Sequence, residues 1–121
     1  MKNEPVNFSD KFGMFQDHWS PRVIAELNDY QFKLVRIRGE FVWHQHAETD
    51  EAFVVLEGEM AIEFREHRVD LKAGELFVVP KGVEHKPVAS NECKIMVIEP
   101  RGVANTGSTG GKLTAENDVW V

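Results

Sequence analysis

Short apolar runs rich in β-branched and aromatic residues dominate the middle of the chain, with Gly or charged clusters between them. Arg22 to Leu27 and Tyr30 to Arg38 flank Asn28-Asp29, a pair suited to a tight hairpin turn. Further runs follow at Glu40 to His46, Ala52 to Glu57, Glu59 to Arg65, Val69 to Lys72, Leu76 to Pro80 and Cys93 to Glu99. Gly58-Glu59, Glu66-His67-Arg68 and Ala73-Gly74-Glu75 read as connections. Strands at this spacing, with no long amphipathic helix between them, predict an all-β sandwich or barrel. The ends differ from the middle. Ser9 to Phe15 predicts one short helical turn capped by Ser9, although Gly13 interrupts it. Gly102 to Gly111 is rich in Gly, Ser, Thr and Asn and reads as a flexible loop, while Trp120 suggests that the tail docks again, on its own barrel or on a partner.

At 121 residues the chain reads as one domain, 1–121, long enough to bury a core without disulfides. A net charge of -6 argues against nucleic acid as a partner, because phosphate binding needs a basic face. The single cysteine, Cys93, permits no internal disulfide, fits a reducing compartment and sits in an apolar run that predicts a buried, inert thiol. No apolar stretch follows Met1 to Pro5, so no secretory signal is expected. The longest apolar runs, Ala52 to Leu56, Leu76 to Pro80 and Ile95 to Ile98, are far too short to span a bilayer. The expectation is a soluble, cytoplasmic protein with no membrane partner.

His44 and His46 stand two apart in a predicted strand, so the strand period puts both imidazoles on one face. Glu51 follows four residues later, and returns beside them if residues 47–50 turn. His85 follows Pro80-Lys81-Gly82, a rigid turn leaving another strand. Three imidazoles and a carboxylate suit Fe, Mn, Ni, Co, Cu or Zn better than Ca or Mg. Each residue alone has a plainer reading. A His-x-His in a strand is more often surface polarity, Glu51 a solvated charge and His85 a loop histidine. His67 reads as exposed and His18, beside Trp19, as structural.

Together the four residues resemble the two motifs of the cupin superfamily. The first is Gly39, four residues, His44-Gln45-His46, four residues, Glu51, six residues, Gly58. The second is Gly74, five residues, Pro80-Lys81-Gly82, two residues, His85. The chain departs from the pattern twice: five residues are usual between Gly39 and His44, and Ala89 replaces a final Asn. The resemblance implies a jelly-roll barrel (a double-stranded β-helix) with His44, His46, Glu51 and His85 pointing inward as metal ligands near one mouth. Gly58 and Gly74 then serve tight turns, and Gly82 turns His85 inward. Parity with the ligands predicts Val42, Phe53 and Val55 on the cavity wall, and Trp43 on the opposite face, in the core or at a dimer contact.

The resemblance is to small single-domain cupins of the cupin-2 type, some described as mannose-6-phosphate isomerase-like. It implies several classes of function, among them dioxygenases, isomerases, decarboxylases and non-catalytic binding proteins, and it makes a homodimer the default. Only Lys81 and Lys86 flank the second motif, too little positive charge to support sugar-phosphate isomerisation. The expected function is a metal-dependent enzyme acting on a small organic molecule, with Glu51 as a possible proton acceptor and Glu48 a weaker one. The alternative is a metal-centred module that binds or senses a small ligand without turning it over.

Overall fold

A computed structural model describes residues 3–121. The chain begins with a short helix, α1 (Phe8–Phe12), followed by seven strands: β1 (Arg22–Leu27), β2 (Tyr30–Glu40), β3 (Glu51–Glu57), β4 (Glu59–Phe64), β5 (Arg68–Lys72), β6 (Leu76–Val79) and β7 (His85–Pro100). These strands pair with one another antiparallel. One layer runs β1-β2-β7-β3-β6, while β4 pairs with β5 and with the first residues of β7. β7 is long enough to serve both layers. His85 to Val88 pair with β4, and Lys94 to Ile98 pair with β3. A strand shared in this way folds the sheet back on itself, which gives the expected jelly-roll barrel.

Alternation decides what the barrel encloses. Glu51, Phe53 and Val55 of β3 point inward, while Ala52, Val54 and Leu56 lie on the outer face. Phe53 and Val55 join Val35, Ile37, Ile62 and Ile95 in the interior core. Cys93 is fully buried there, and burial, with the charges of Glu57 and Glu59, pushes its thiol up to about 11. A second cluster lies outside the barrel, where Phe12 and Phe15 pack on Ile24 and Leu34. Gly58, Gly74 and Gly82 all take positive φ, as the turns require.

The structure departs from the sequence expectation in several places. The helix is capped by Asn7, not Ser9, through a bond from the Asp10 N–H to Asn7 Oδ1 at 2.9 Å, and it ends at Gly13. The predicted strand Glu40 to His46 does not form. β2 runs on to Glu40, and residues 41–50 leave the ladder except for one bridge between His44 and His85. Pro87 has no N–H to continue the ladder, so it can only accept from Phe41 N (3.0 Å). The pairing then slips by one residue before His44 meets His85. That slip moves Val42 off the cavity wall and puts Phe41 there instead. Trp43 is only half-buried. The Arg65 guanidinium lies 3.8 Å from its ring centroid and Lys86 Nζ 5.6 Å, so it belongs to a cationic surface cluster and not to the core.

The C-terminal tail is ordered onto its own barrel. Val23 of β1 donates to Val119 O (2.8 Å) and accepts from Val121 N (3.2 Å), so the last residues extend the edge of the sheet. Trp120 itself remains 50% exposed. Gly102 to Gly111, expected to be loose, is held by polar contacts of Asn105, Thr106 and Thr109 that bear on the site.

Candidate metal centre

Three separate segments of backbone bring the four residues together. His44 and His46 come from the loop after β2, Glu51 opens β3 and His85 opens β7. His44 and His85 exchange a pair of backbone bonds, His44 N to His85 O at 3.0 Å and His85 N to His44 O at 2.9 Å. Gly82 N donates to His46 O (2.8 Å), so the Pro80-Lys81-Gly82 turn ties down the other histidine. All four side chains are buried, with His85 at 0% and His44 at 3% exposure. Their ligand atoms lie within 4.8 Å of one another. The expected quartet therefore converges, although a loop and not a strand carries the His-x-His pair. Gln45, between them, points to solvent.

The protonation pattern suits a cation. Nδ1–H of His44 donates to Val42 O and Nδ1–H of His85 donates to Val83 O, each at 2.9 Å. A carbonyl can only accept, so in the neutral tautomer that these bonds select, either ring turns an unprotonated Nε2 inward. His46 Nε2 and His85 Nε2 each lie 3.3 Å from Glu51 Oε1. The His46 nitrogen is buried with no hydrogen-bond partner. Burial and the neighbouring His85 lower the His44 pKa to about 4, which keeps it neutral. Inward lone pairs facing a carboxylate repel each other unless a positive charge sits among them. The N3O donor set with no thiolate fits a divalent transition metal and leaves room for further ligands.

Beside this group lies a cavity of ≈ 40 Å³, room for roughly three waters. Trp19, Phe41, Phe53, Ile95 and Val97 form its apolar walls, and His44, Glu51, Glu99 and Asn105 its polar ones. Phe53 lines it as parity predicted, whereas Val55 is buried elsewhere in the core. Glu48 is exposed and does not reach it. An open groove of ≈ 700 Å³ along β4, β5 and the bend of β7 is larger, but none of the four residues line it. His18 pairs with Glu92 (2.8 Å), and His67 stacks on Phe64 at the surface, as their plainer readings expected.

Sequence reasoning missed one pair. Glu99 is buried on the cavity wall, and Lys33 Nζ holds its Oε2 at 2.9 Å inside the barrel. Burial and the adjacent Glu51 charge raise the Glu99 pKa well above the ordinary carboxylate value, against the opposing pull of Lys33. Parity carried the signal, since Glu99 follows Ile95 and Val97 at every second position, and Lys33 precedes Val35 and Ile37.

A buried His3Glu cluster inside a jelly-roll barrel defines a class, and the comparisons agree with it. Residues 34–99 match the cupin-domain family (Cupin_2), and the chain belongs to that family. It is 67% identical to a cupin-2 domain protein of Shewanella frigidimarina, covering 79% of this chain and 94% of that one with a TM-score of 0.79. It is 32% identical to protein NMB1881 of Neisseria meningitidis, covering 80% and 99% with a TM-score of 0.74. Among curated proteins it is 42% identical over 64 residues to the uncharacterized protein YdbB of Bacillus subtilis. That match covers 52% of this chain and only 57% of the relative's length. No helix among the described residues is long and apolar enough to cross a membrane.

Proposed function

We propose that His44, His46, Glu51 and His85 hold one divalent transition-metal ion, and that the chain is a metal-dependent enzyme acting on a small organic molecule beside it. The observation that carries the reading is the buried His46 Nε2, which has no hydrogen-bond partner and faces three other donors. When bound, the ion supplies a Lewis acid, or a redox centre if it is Fe, Mn, Ni or Cu. The chain's own residues do the rest. Trp19, Phe41 and Phe53 give the cavity beside the ion its apolar walls, while Glu51 serves as a proton acceptor. The small volume admits only a small polar group of the ligand next to the ion.

Elemental analysis of protein purified without added metal tests the site, and His46→Ala tests the assignment. We expect about one transition metal per wild-type chain and under a tenth of that in the variant, with the β fold unchanged by circular dichroism. Full metal content in His46→Ala would show the assignment to be wrong. Oxygen uptake and product formation across small enols, thiols and sugars test turnover. A metal-loaded protein that binds one of these without ever transforming it is the non-catalytic binding or sensing module instead.

We also propose a homodimer, supported by an outer sheet face where Leu76 is 57% and Val78 45% exposed on the edge strand β6.

A further inference from the structure

The loop that bears His44 and His46 is held by the sheet on one side only, through His85 and the Gly82 turn. Residues of the C-terminal tail meet the same loop. Thr109 Oγ1 donates to Trp43 O at 3.0 Å. Gly107, in the left-handed region at φ 58, lies against the backbone of Gln45. A Cβ at that position would overlap the Gln45 carbonyl oxygen and sit 3.1 Å from its carbonyl carbon. Trp43 and Gln45 are the two neighbours of His44, so the tail bears on the backbone on both sides of a ligand position.

The grip is anchored and not adventitious. Asn105 Nδ2 donates to Leu113 O (2.8 Å) and Trp19 O (3.2 Å), and its Oδ1 accepts from Ala115 N (2.9 Å). Thr106 is fully buried and bonds Thr114 hydroxyl to hydroxyl at 2.7 Å. Beyond them the chain is pinned to β1 through Val119 and Val121. The tail is thus a closed, bonded loop with one foot in the cavity wall, at Asn105. It also lies outside residues 34–99, the part of the chain that matches the family.

We propose that this tail is a clamp on the metal-ligand loop, with Gly107 and Thr109 as positioning residues that hold His44 and His46 at their convergent spacing. The proposal rests on the metal-site reading above. A ligand loop fixed before the ion arrives spends less binding free energy on being ordered, so loosening it weakens affinity more than it weakens the fold. Gly107→Ala forces the clamp off Gln45, both by overlap and because an L residue resists that φ. Thr109→Val keeps the shape and removes the hydrogen bond.

The test is Co(II) titration of the full chain, read by the d–d absorption band, beside thermal melting of the apo protein. Wild type binds, Thr109→Val raises the Kd about three- to tenfold, and Gly107→Ala raises it more. The band changes shape as the donor geometry loosens. Ser108→Ala, exposed between the two, leaves both unchanged. If wild type binds and Thr109→Val keeps its Kd and spectrum, the clamp is overturned even where apo melting falls, because the tail then supports only the fold. If wild type binds no Co(II), the metal-site reading falls first and the clamp with it. Should Gly107→Ala fail to fold, Thr109→Val still decides.

Discussion

His44 is the proposed ligand whose protonation the folded chain controls most visibly. Its pKa falls from 6.5 to about 4 because it is buried and beside His85. The unfolded chain therefore takes up a proton that the folded apo chain refuses. Stability is full above the ordinary histidine value and is lost as pH falls from about 6.5 toward about 4, with no further loss from this group below that. The depression corresponds to on the order of 3 kcal/mol. Urea unfolding of the apo protein at pH 7.5 and pH 4.5 should show most of that difference, and His44→Gln should remove it. An equal pH dependence in His44→Gln would assign the effect to another group. The residue scale is also where the sequence was most legible. The spacing of His44, His46, Glu51 and His85 is written in the chain, and their burial followed. Glu99 and Lys33 were equally present by parity, but a charge inside an apolar run does not announce whether its partner is water or another buried charge.

At the scale of elements, legibility tracked how local each determinant is. β1, β3, β4, β5 and β6 stand close to where β-branched and aromatic runs predict them, because each run carries its own alternation. The ladder beyond Glu40 failed for a distant reason. Pro87, on another strand, cannot donate, and nothing in residues 40–46 records that. The first part of β7 lies outside the predicted run Cys93 to Glu99, because Lys86, Pro87, Ser90 and Asn91 interrupt the apolar alternation. Helix α1 depends on a distant residue too. Arg36 of β2 donates from Nε to Phe15 O (2.9 Å) and from Nη2 to Phe12 O (2.8 Å), and its Nη1 reaches Glu92 at 2.8 Å. A five-residue helix has almost no stability of its own, so this fork and the rings of Phe12 and Phe15 hold it down. Arg36→Lys cannot reach both carbonyls and should cost about 1–3 kcal/mol in urea melts. Amide hydrogen exchange over residues 8–15 should accelerate while the barrel strands stay protected. Unchanged exchange there would mean that the aromatic packing suffices without the guanidinium.

At the scale of the whole molecule, the outer face of the larger layer asks for a partner. Register places Phe32, Ile98, Ala52 and Val78 in one row across β2, β7, β3 and β6. Leu34, Met96, Val54 and Leu76 form the next row. The N-terminal segment covers one end of these rows, where Leu34 is fully buried under Phe12 and Phe15. Exposure then rises toward β6, a four-residue edge strand whose Leu76 and Val78 are about half exposed. An apolar face that ends on an open edge suits a second copy of the same chain, since a two-fold axis would set each patch on the other and cover both edges. Leu76→Lys places a charge in the middle of that contact and none near the ligands, because its side chain points away from the barrel interior. The wild-type chain should elute with the mass of a dimer in size-exclusion chromatography with light scattering. The variant should elute near 13.8 kDa, the mass of one chain, with its metal content unchanged. A wild-type chain that is monomeric at tens of micromolar would leave this face to another partner. A variant that remains dimeric would move the interface elsewhere, with the groove along β4, β5 and the bend of β7 as the next surface to charge.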